Sequence, residues 1–581
     1  MKVKAIQFLL LSFLPLGVIG QAGSKWIVVT GKVDPIISRE IHLGDIAVPI
    51  SANGTFLFEL EPTAPKFYSL MYEENGIELF VSPSDSIHVE METLDVRPKI
   101  NITGSNAVLN RFLHHQSKRR LETEVYLEEN EEQLYSKNLL LFQQILDSLK
   151  QVHLTDLNTL SKGRYDLNDW FLRKSKADVE FFFKKAEITY PLLYHRFIRK
   201  KAEIPPNFYE KVVGSAFGEP RLLSLKTFLD FSSEYLNIMA SGKYKYEDFW
   251  SQHINIMGEP RYRAISELNS HQEVKDFFLV EHLRTSINTL SSKHVETMVG
   301  WFKNDCSDSL FKDEVLQLYE ASVKERERPD DIKIYRQVQG MDLAANIFYP
   351  DDFKKDDNRS SYLFFNGGGW RFGKPEWAYE NCKKYAEKGM VAISFEYRLN
   401  YVSNAYISDG VRDAKAAVRW VRANASALGI DPLKIVATGF SAGAHLAACT
   451  AILEDRRYLD APSRMSAKPN ALILTSASYM PTGSGFPNAP GDDPEAFSPF
   501  HNVKGSMVPS LLFHGTNDWV VPHERFEAFV GKMKKLGNDF EYRSFEGVGH
   551  FLNPASSEII DTMSEKFLVS QGFLQKEDKP K

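Results

Sequence analysis

Ser441 stands between two glycines, in Gly439-Phe440-Ser441-Ala442-Gly443, where the apolar run Ile435-Val436-Ala437 gives way to an alanine-rich stretch, 442–452. A serine hydroxyl is a poor nucleophile until a base takes its proton, and an imidazole, with a reference pKa of about 6.5, can do so near neutral pH. His550 offers the imidazole, following Gly549 just past the run "FEYRSFEG". Asp518, three residues beyond the end of "PSLLFHG", offers a carboxylate that fixes the tautomer of the ring and stabilises the imidazolium. The chemistry these residues suit is acyl transfer: Ser441 attacks, His550 shuttles the proton and Asp518 orients His550. A fourth signal is "LFFNGGGWRFG", whose glycines follow another apolar run and supply backbone N–H groups that no side chain crowds. Gly368 and Gly369, with the Ala442 N–H, are the candidate donors to the oxyanion of a tetrahedral intermediate. Removing one such donor typically costs about 3 kcal/mol of transition-state stabilisation. Taken singly, the serine pentapeptide also suits a tight strand-to-helix turn, and the glycine run a flexible loop. Their ordered occurrence is what carries the reading.

Other residues compete for roles. Trp370 and Trp519 adjoin the glycine run and Asp518, where they are either an aromatic wall for an acyl group or sugar, or packing. His445 follows Ser441 by four residues on the next helix and is expected to pack against the sheet. His514 is expected to fix the loop that carries Asp518. Asp492 and Asp493 lie in a Gly/Pro-rich loop that reads as solvated, with substrate contact as the alternative. The three cysteines, Cys306, Cys382 and Cys449, are far apart with no C-x-x-C pair, and read as buried small hydrophobes. No metal-ligand spacing, phosphate loop or internal repeat occurs in residues 105–325, and the chemistry requires no metal or organic cofactor.

These residues need elements to hold them. The chain of 581 residues is 43% hydrophobic and 25% charged, an ordinary globular balance. Its formal charge of −6 and short basic clusters argue against a nucleic-acid partner. Residues 1–22, a short basic region followed by an apolar stretch ending in small residues, read as a secretory signal with cleavage after Gly20 or Ala22. The protein is therefore expected to be exported, periplasmic or extracellular. No later segment is apolar enough to span a membrane. Residues 24–104 read as a small β domain, in which Asn53-Gly54 predicts a hairpin between "IAVPI" and "TFLFEL". Residues 105–325 carry apolar positions at helical spacing, and "ASVKERERPDD" reads as a charged linker. From 326 to 581, eight nearly continuous apolar runs, most of the later ones separated by helical stretches, predict a mostly parallel sheet with helices on both faces.

The order Ser441, Asp518, His550, each just past a strand, is the order of the α/β-hydrolase fold. Residues from about 330 to 575 resemble the bacterial carboxylesterases related to hormone-sensitive lipase and to acetyl-xylan and feruloyl esterases, through Gly367-Gly368-Gly369-Trp370, Tyr397-Arg398-Leu399, "GFSAGAHLA", "FHGTNDWVVP" and "GVGHF". The resemblance implies a serine esterase acting on small or carbohydrate-linked esters. It also marks departures: Asn366 stands where the family usually has a histidine that orients the glycine loop, Glu396 where an aspartate or asparagine is common, and Ala444 where a glycine is frequent. The first half is similar to the β module and helical connector found upstream of thioredoxin-like domains in exported bacterial proteins, although no C-x-x-C follows. A serine peptidase of the same fold, and a binding or scaffold protein with a secondary hydrolase domain, are the alternative readings. The acyl group, the alcohol, any protein partner of the first half and the oligomeric state are left open by the sequence.

Overall fold

The computed structural model describes residues 26–61, 64–73, 75–92, 99–162, 169–241, 258–454, 465–482, 486–489 and 491–575. The expected signal segment, 1–22, lies outside them. The chain divides into two compact units, Met1–Ile204 and Pro205–Lys581, so the helical stretch expected over 105–325 is shared between them.

The first unit holds two four-stranded sheets. One has the order β4-β1-β7-β8, from Thr55–Leu60, Ile27–Asp34, Ser86–Glu92 and Lys99–Gly104. The other is β3-β2-β5-β6, from Ile46–Pro49, Glu40–Leu43, Lys66–Tyr72 and Asn75–Val81. Alternation along the strands buries one face of each: Ile27 and Val29 on β1, Ile41 and Leu43 on β2, Ile87, Val89 and Met91 on β7, all in one shared core. The hairpin expected at Asn53-Gly54 does not form. The turn is there, with the Gly54 N–H donated to Ser51 O at 2.9 Å, but β3 pairs with β2 while β4 pairs with β1. The turn carries the chain from one sheet to the other. The helices Ala107–Glu129, Leu139–Lys162 and Asp169–Ile198 complete this unit.

In the second unit the helices Lys226–Ser241, Gln272–Thr289 and Ser309–Arg326 precede an eight-stranded sheet. The last of these helices runs through much of the expected linker, which shrinks to residues 327–330. All eight predicted strands form: β9 (Asp331–Val338), β10 (Met341–Phe348), β11 (Arg359–Phe365), β12 (Val391–Phe395), β13 (Ile430–Phe440), β14 (Ala471–Thr475), β15 (Ser510–Gly515) and β16 (Phe540–Phe545). Their order is β16-β15-β14-β13-β11-β12-β10-β9. The six strands from β16 to β12 are parallel, and β10 and β9 are added by antiparallel pairings. Every residue of β12 and β15 is buried, as expected for strands covered on both faces. The multidomain α/β-hydrolase architecture read from the sequence is the one observed.

Parallel strands point their C-terminal ends to one edge of the sheet, where sites form at reversals of strand order. Here the chain steps outward from β11 to β12, then returns to place β13 on β11's other side. The glycine run leaves β11 and Ser441 leaves β13, so the two loops emerge from neighbouring strands.

Among the described residues, no helix is long and apolar enough to cross a membrane, and no cluster of His, Cys, Asp and Glu suits a metal ion. The three cysteines are buried and free.

Candidate active site

Ser441 ends β13 and begins the helix Ala442–Ile452, with φ 54° and ψ −119°. This left-handed geometry is uncommon for a residue with a side chain and costs of order 1–3 kcal/mol, so it persists only where the surroundings impose it. Two glycines do so. A Cβ on Gly439 would lie 2.5 Å from the Gly443 carbonyl carbon, and one on Gly443 would lie 1.9 Å from Phe365 O. The helix therefore comes down against β13 and β11 through bare backbone, and the turn between must be sharp. The Ser441 N–H donates to Thr475 O at 2.9 Å, tying the turn to β14 as well.

Ser441 Oγ lies 3.0 Å from His550 Nε2, and His550 Nδ1 lies 2.7 Å from Asp518 Oδ2. The geometry suits the tautomer that donates Nδ1–H to the carboxylate and accepts the serine proton at Nε2. Asp518 Oδ1 accepts the N–H groups of Val520 at 2.9 Å and Val521 at 2.8 Å. Burial pushes the Asp518 carboxyl up, but the hydrogen bonds from His550 and Val521 and the nearby imidazoles outweigh it, so its pKa falls below the ordinary carboxylate value. A permanent anion behind the ring is the result. His514 donates through Nε2 to Val521 O at 2.9 Å and lies 3.3 Å from Asp518 Oδ2, which fixes the carboxylate's loop as expected.

The glycine run enters beside Ser441. A Cβ on Gly367 would lie 3.4 Å from the serine Cβ. Gly368, Gly369 and Trp370 then follow with φ of 113°, 61° and 61°. Positive φ at three successive positions bends the chain in a way glycine tolerates best, and no side chain stands on the Gly368 and Gly369 N–H groups. The Ala442 N–H, at the first turn of its helix, adds the favourable end of the helix dipole. The loop's base is held by the Tyr397 hydroxyl, which donates to Asn366 O at 2.9 Å. Its far side is held by the N–H groups of Asn400 and Tyr401, donated to Trp370 O and Arg371 O, each at 2.9 Å. Asn366 is buried, and its amide donates to Gly367 O at 2.9 Å.

The two tryptophans diverge. Trp370 is only 4% exposed; its indole N–H donates to His445 Nδ1 at 3.3 Å, and its ring meets Phe486 edge-on. Trp519 is 82% exposed, next to Asp518. His445 donates through Nε2 to Phe497 O at 2.7 Å, and burial lowers its pKa to about 4, so it is a neutral packing residue away from the proton path. Asp493 caps a short turn by accepting the Glu495 N–H at 3.0 Å.

Sequence reasoning missed two residues. Phe551 follows His550, is 75% exposed, and lies edge-on to the imidazole at 5.3 Å and stacked on Phe440 at 5.9 Å. An aromatic directly after the histidine was its only signal. Gly373, the last residue of "GGGWRFG", closes the glycine loop: a Cβ there would lie 2.2 Å from Asn366 Nδ2. Its φ of 130° is a second reason for glycine. Glu396, noted as a departure, accepts the Ala344 N–H at 2.9 Å and the Lys293 ammonium at 2.6 Å through Oε2.

The sequence model of the BD-FAE family matches residues 346–474. A protein of Arabidopsis thaliana named probable isoprenylcysteine alpha-carbonyl methylesterase ICMEL1 is 27% identical over 234 residues, which are 36% of this chain and 49% of that protein. Esterase LipC of Mycobacterium tuberculosis is 26% identical over 32% of this chain and 52% of its own length. Endo-1,4-beta-xylanase B of Butyrivibrio fibrisolvens is 26% identical over 40% of this chain and 38% of its own. The chain thus spans about half the length of the first curated relatives it matches. Among solved structures, the propionate-bound thermophilic esterase Est2 of Thermogutta terrifontis is 36% identical, with a TM-score of 0.41 over 44% of this chain and 100% of that one.

Proposed function

We propose that this chain, whose C-terminal half is an α/β-hydrolase of the serine esterase type, hydrolyses carboxylic esters through an acyl-enzyme on Ser441. The observation that carries the reading is the unbroken line from Asp518 to His550 to Ser441, at 2.7 and 3.0 Å. In the first half-reaction Ser441 Oγ bonds to the ester carbonyl carbon as its proton passes to His550 Nε2. The carbonyl oxygen becomes an oxyanion facing the N–H groups of Gly368, Gly369 and Ala442. Collapse of the intermediate breaks the bond to the alcohol oxygen, which takes the proton from His550. Water then repeats the sequence on the acyl-enzyme and releases the acid. Asp518 stays ionised throughout and stabilises the imidazolium.

The substrate we infer is an acyl group borne on carbohydrate, acetyl or feruloyl, met outside the cytoplasm. Support comes from the similarity to a xylanase and to esterases and from the leader-like residues 1–22. A serine-directed organophosphonate, followed by peptide mapping, tests the nucleophile: the label is expected on Ser441. Ser441→Ala should abolish hydrolysis while the protein stays folded, and wild-type turnover by that variant would sink the assignment. A panel of short aryl esters, methyl esters, acetylated xylan, feruloyl sugars and peptide amides tests the substrate. Faster cleavage of amides than of any ester would favour a peptidase. For export, N-terminal sequencing of native material should begin near Gln21 or Gly23; a cytoplasmic protein retaining Met1 would refute it.

A further inference from the structure

The helix Gln272–Thr289 lies outside the eight-stranded sheet, yet two of its last carbonyls are bonded to residues beside that sheet. The final turn of any helix leaves carbonyl oxygens without partners inside the helix. Two of them are taken up by the residues that close the glycine loop. Thr289 O accepts the Gly373 N–H at 2.9 Å, and Ile287 O accepts the Lys374 ammonium at 2.9 Å. A lysine is well matched to the negative end of the helix dipole. The chain beyond the helix continues the attachment. Leu290 forms a parallel bridge to Gly373, Ser291 Oγ donates to the buried Glu376 at 2.7 Å, and Lys293 reaches Glu396 at 2.6 Å. Every one of these partners flanks the loop or the strand beside it.

Gly373 transmits that attachment to the donors. It is packed against Gly367 O and the Asn366 amide, where no Cβ would fit, so the two ends of the loop touch. Between them lie Gly368 and Gly369, residues that lose more conformational freedom on ordering than any others. A donor pair built on glycine holds its aim only if both ends of the loop are fixed. Tyr397 fixes the entry. Asn366, which stands where the resemblance puts a loop-orienting histidine, spends its amide on the adjacent Gly367 O and so spans only one residue.

We propose that the end of helix Gln272–Thr289, with Leu290–Lys293, is the positioning element of the oxyanion loop, acting through Gly373 and Lys374. This assigns a catalytic purpose to a helical segment that precedes the hydrolase sheet, and it rests on the esterase reading above. Lys374 is a positioning residue: its ammonium is bonded to the Ile287 carbonyl of the helix.

The test uses the full-length protein with Lys374→Met, which keeps the aliphatic stem and removes the donor. With 4-nitrophenyl acetate, kcat should fall between about tenfold and 100-fold, the range expected when reacting groups are misplaced by a fraction of an ångström to one ångström. KM should stay within about twofold, because ground-state binding does not use the oxyanion donors. An alkyl trifluoromethyl ketone adds to the serine and presents an oxyanion to the loop, so its inhibition constant should rise in parallel with the loss in kcat. Lys374→Arg should recover much of both, since a guanidinium can also reach Ile287 O. Unchanged kcat and ketone affinity in folded Lys374→Met would overturn the proposal, as would a loss of kcat with ketone affinity intact. If Lys374→Met does not fold, Lys293→Met is read by the same two measurements with the same criteria. Failure of the wild-type protein to react with the organophosphonate would instead remove the esterase reading, and this proposal with it.

Discussion

Gly443→Ala should unfold the site before it unfolds the protein. The new Cβ would lie 1.9 Å from Phe365 O, against 3.4 Å for ordinary contact, so about 1.5 Å must be found. The nearest neighbours are all backbone: Phe365 O, Phe365 C and Asn366 O. None can swing aside as a side-chain tip would. Phe365 pairs with Gly439 in the ladder between β11 and β13, so moving it opens the sheet where the serine turn and the glycine run both begin. Overpacking a core typically costs 1–3 kcal/mol, and an immovable neighbour argues for about 3 kcal/mol. For the unit Pro205–Lys581, whose unfolding entropy at about 2 cal/mol/K per residue is about 0.8 kcal/mol/K, that lowers Tm by roughly 4 °C. Activity should fall further than stability implies, since Asn366 leads directly into the oxyanion donors and a displacement near 1 Å costs about 100-fold. Thermal unfolding and kcat/KM on an aryl acetate measure the two effects. Gly369→Ala is the control: nothing lies within 4 Å of its Cβ, so it meets only the strain of φ 61°, about 1–2 kcal/mol. It should lower Tm little while obstructing the donors and slowing turnover. Wild-type Tm and kcat/KM in Gly443→Ala would refute the close-packing argument for the serine turn.

Two further predictions concern stability and boundaries. The pKa of His445 is lowered from 6.5 to about 4 by burial, so as pH falls between these values the unfolded chain binds a proton that the folded chain refuses. Stability should therefore be full above pH 6.5, decline by about 3 kcal/mol down to pH 4 from this residue, and change no further below it; buried His282 and half-buried His294, both lowered to about 3 chiefly by desolvation, act in the same direction. Urea unfolding across this range measures it, and a His445→Asn variant with an equally steep pH dependence would contradict it. A fragment spanning 205–581 should fold and keep its activity on small esters, whereas one starting at 327 should aggregate or lose kcat, because it lacks the helix end at Gly373; an active, monomeric 327–581 fragment would count against that boundary.

Much of the second unit could be read from its residues because its signals are local. A buried parallel strand announces itself as an apolar run, and all eight did so. The serine turn was readable because two glycines at fixed spacing are what close backbone approach demands. Long-range choices were not readable. Asn53-Gly54 specifies a turn but not which strand the chain joins afterwards, and here it joins β1. Glu396 looked like a simple substitution because its partner Lys293 lies 103 positions earlier. For Trp370 the sequence leaves aromatic wall and packing both open, and only the fold decides: its φ of 61° accompanies a ring packed inward on His445. Periodicity says which face of a helix is apolar; it does not say that the carbonyls at its end will be met by a glycine loop.

The base that activates Ser441 arrives 109 residues after it, on the loop beyond β16, the edge strand of the sheet. A chain emerging from the ribosome therefore carries its serine, and the glycine run before it, for a long interval without an acid–base partner. Contacts this distant in sequence form late, because loop closure must come before they are rewarded. During refolding, recovery of ester hydrolysis should lag behind recovery of helical signal, and the delay would time the docking of the last two strands. Turnover is then a clock for the completion of the sheet, and a half-finished chain is an inert one.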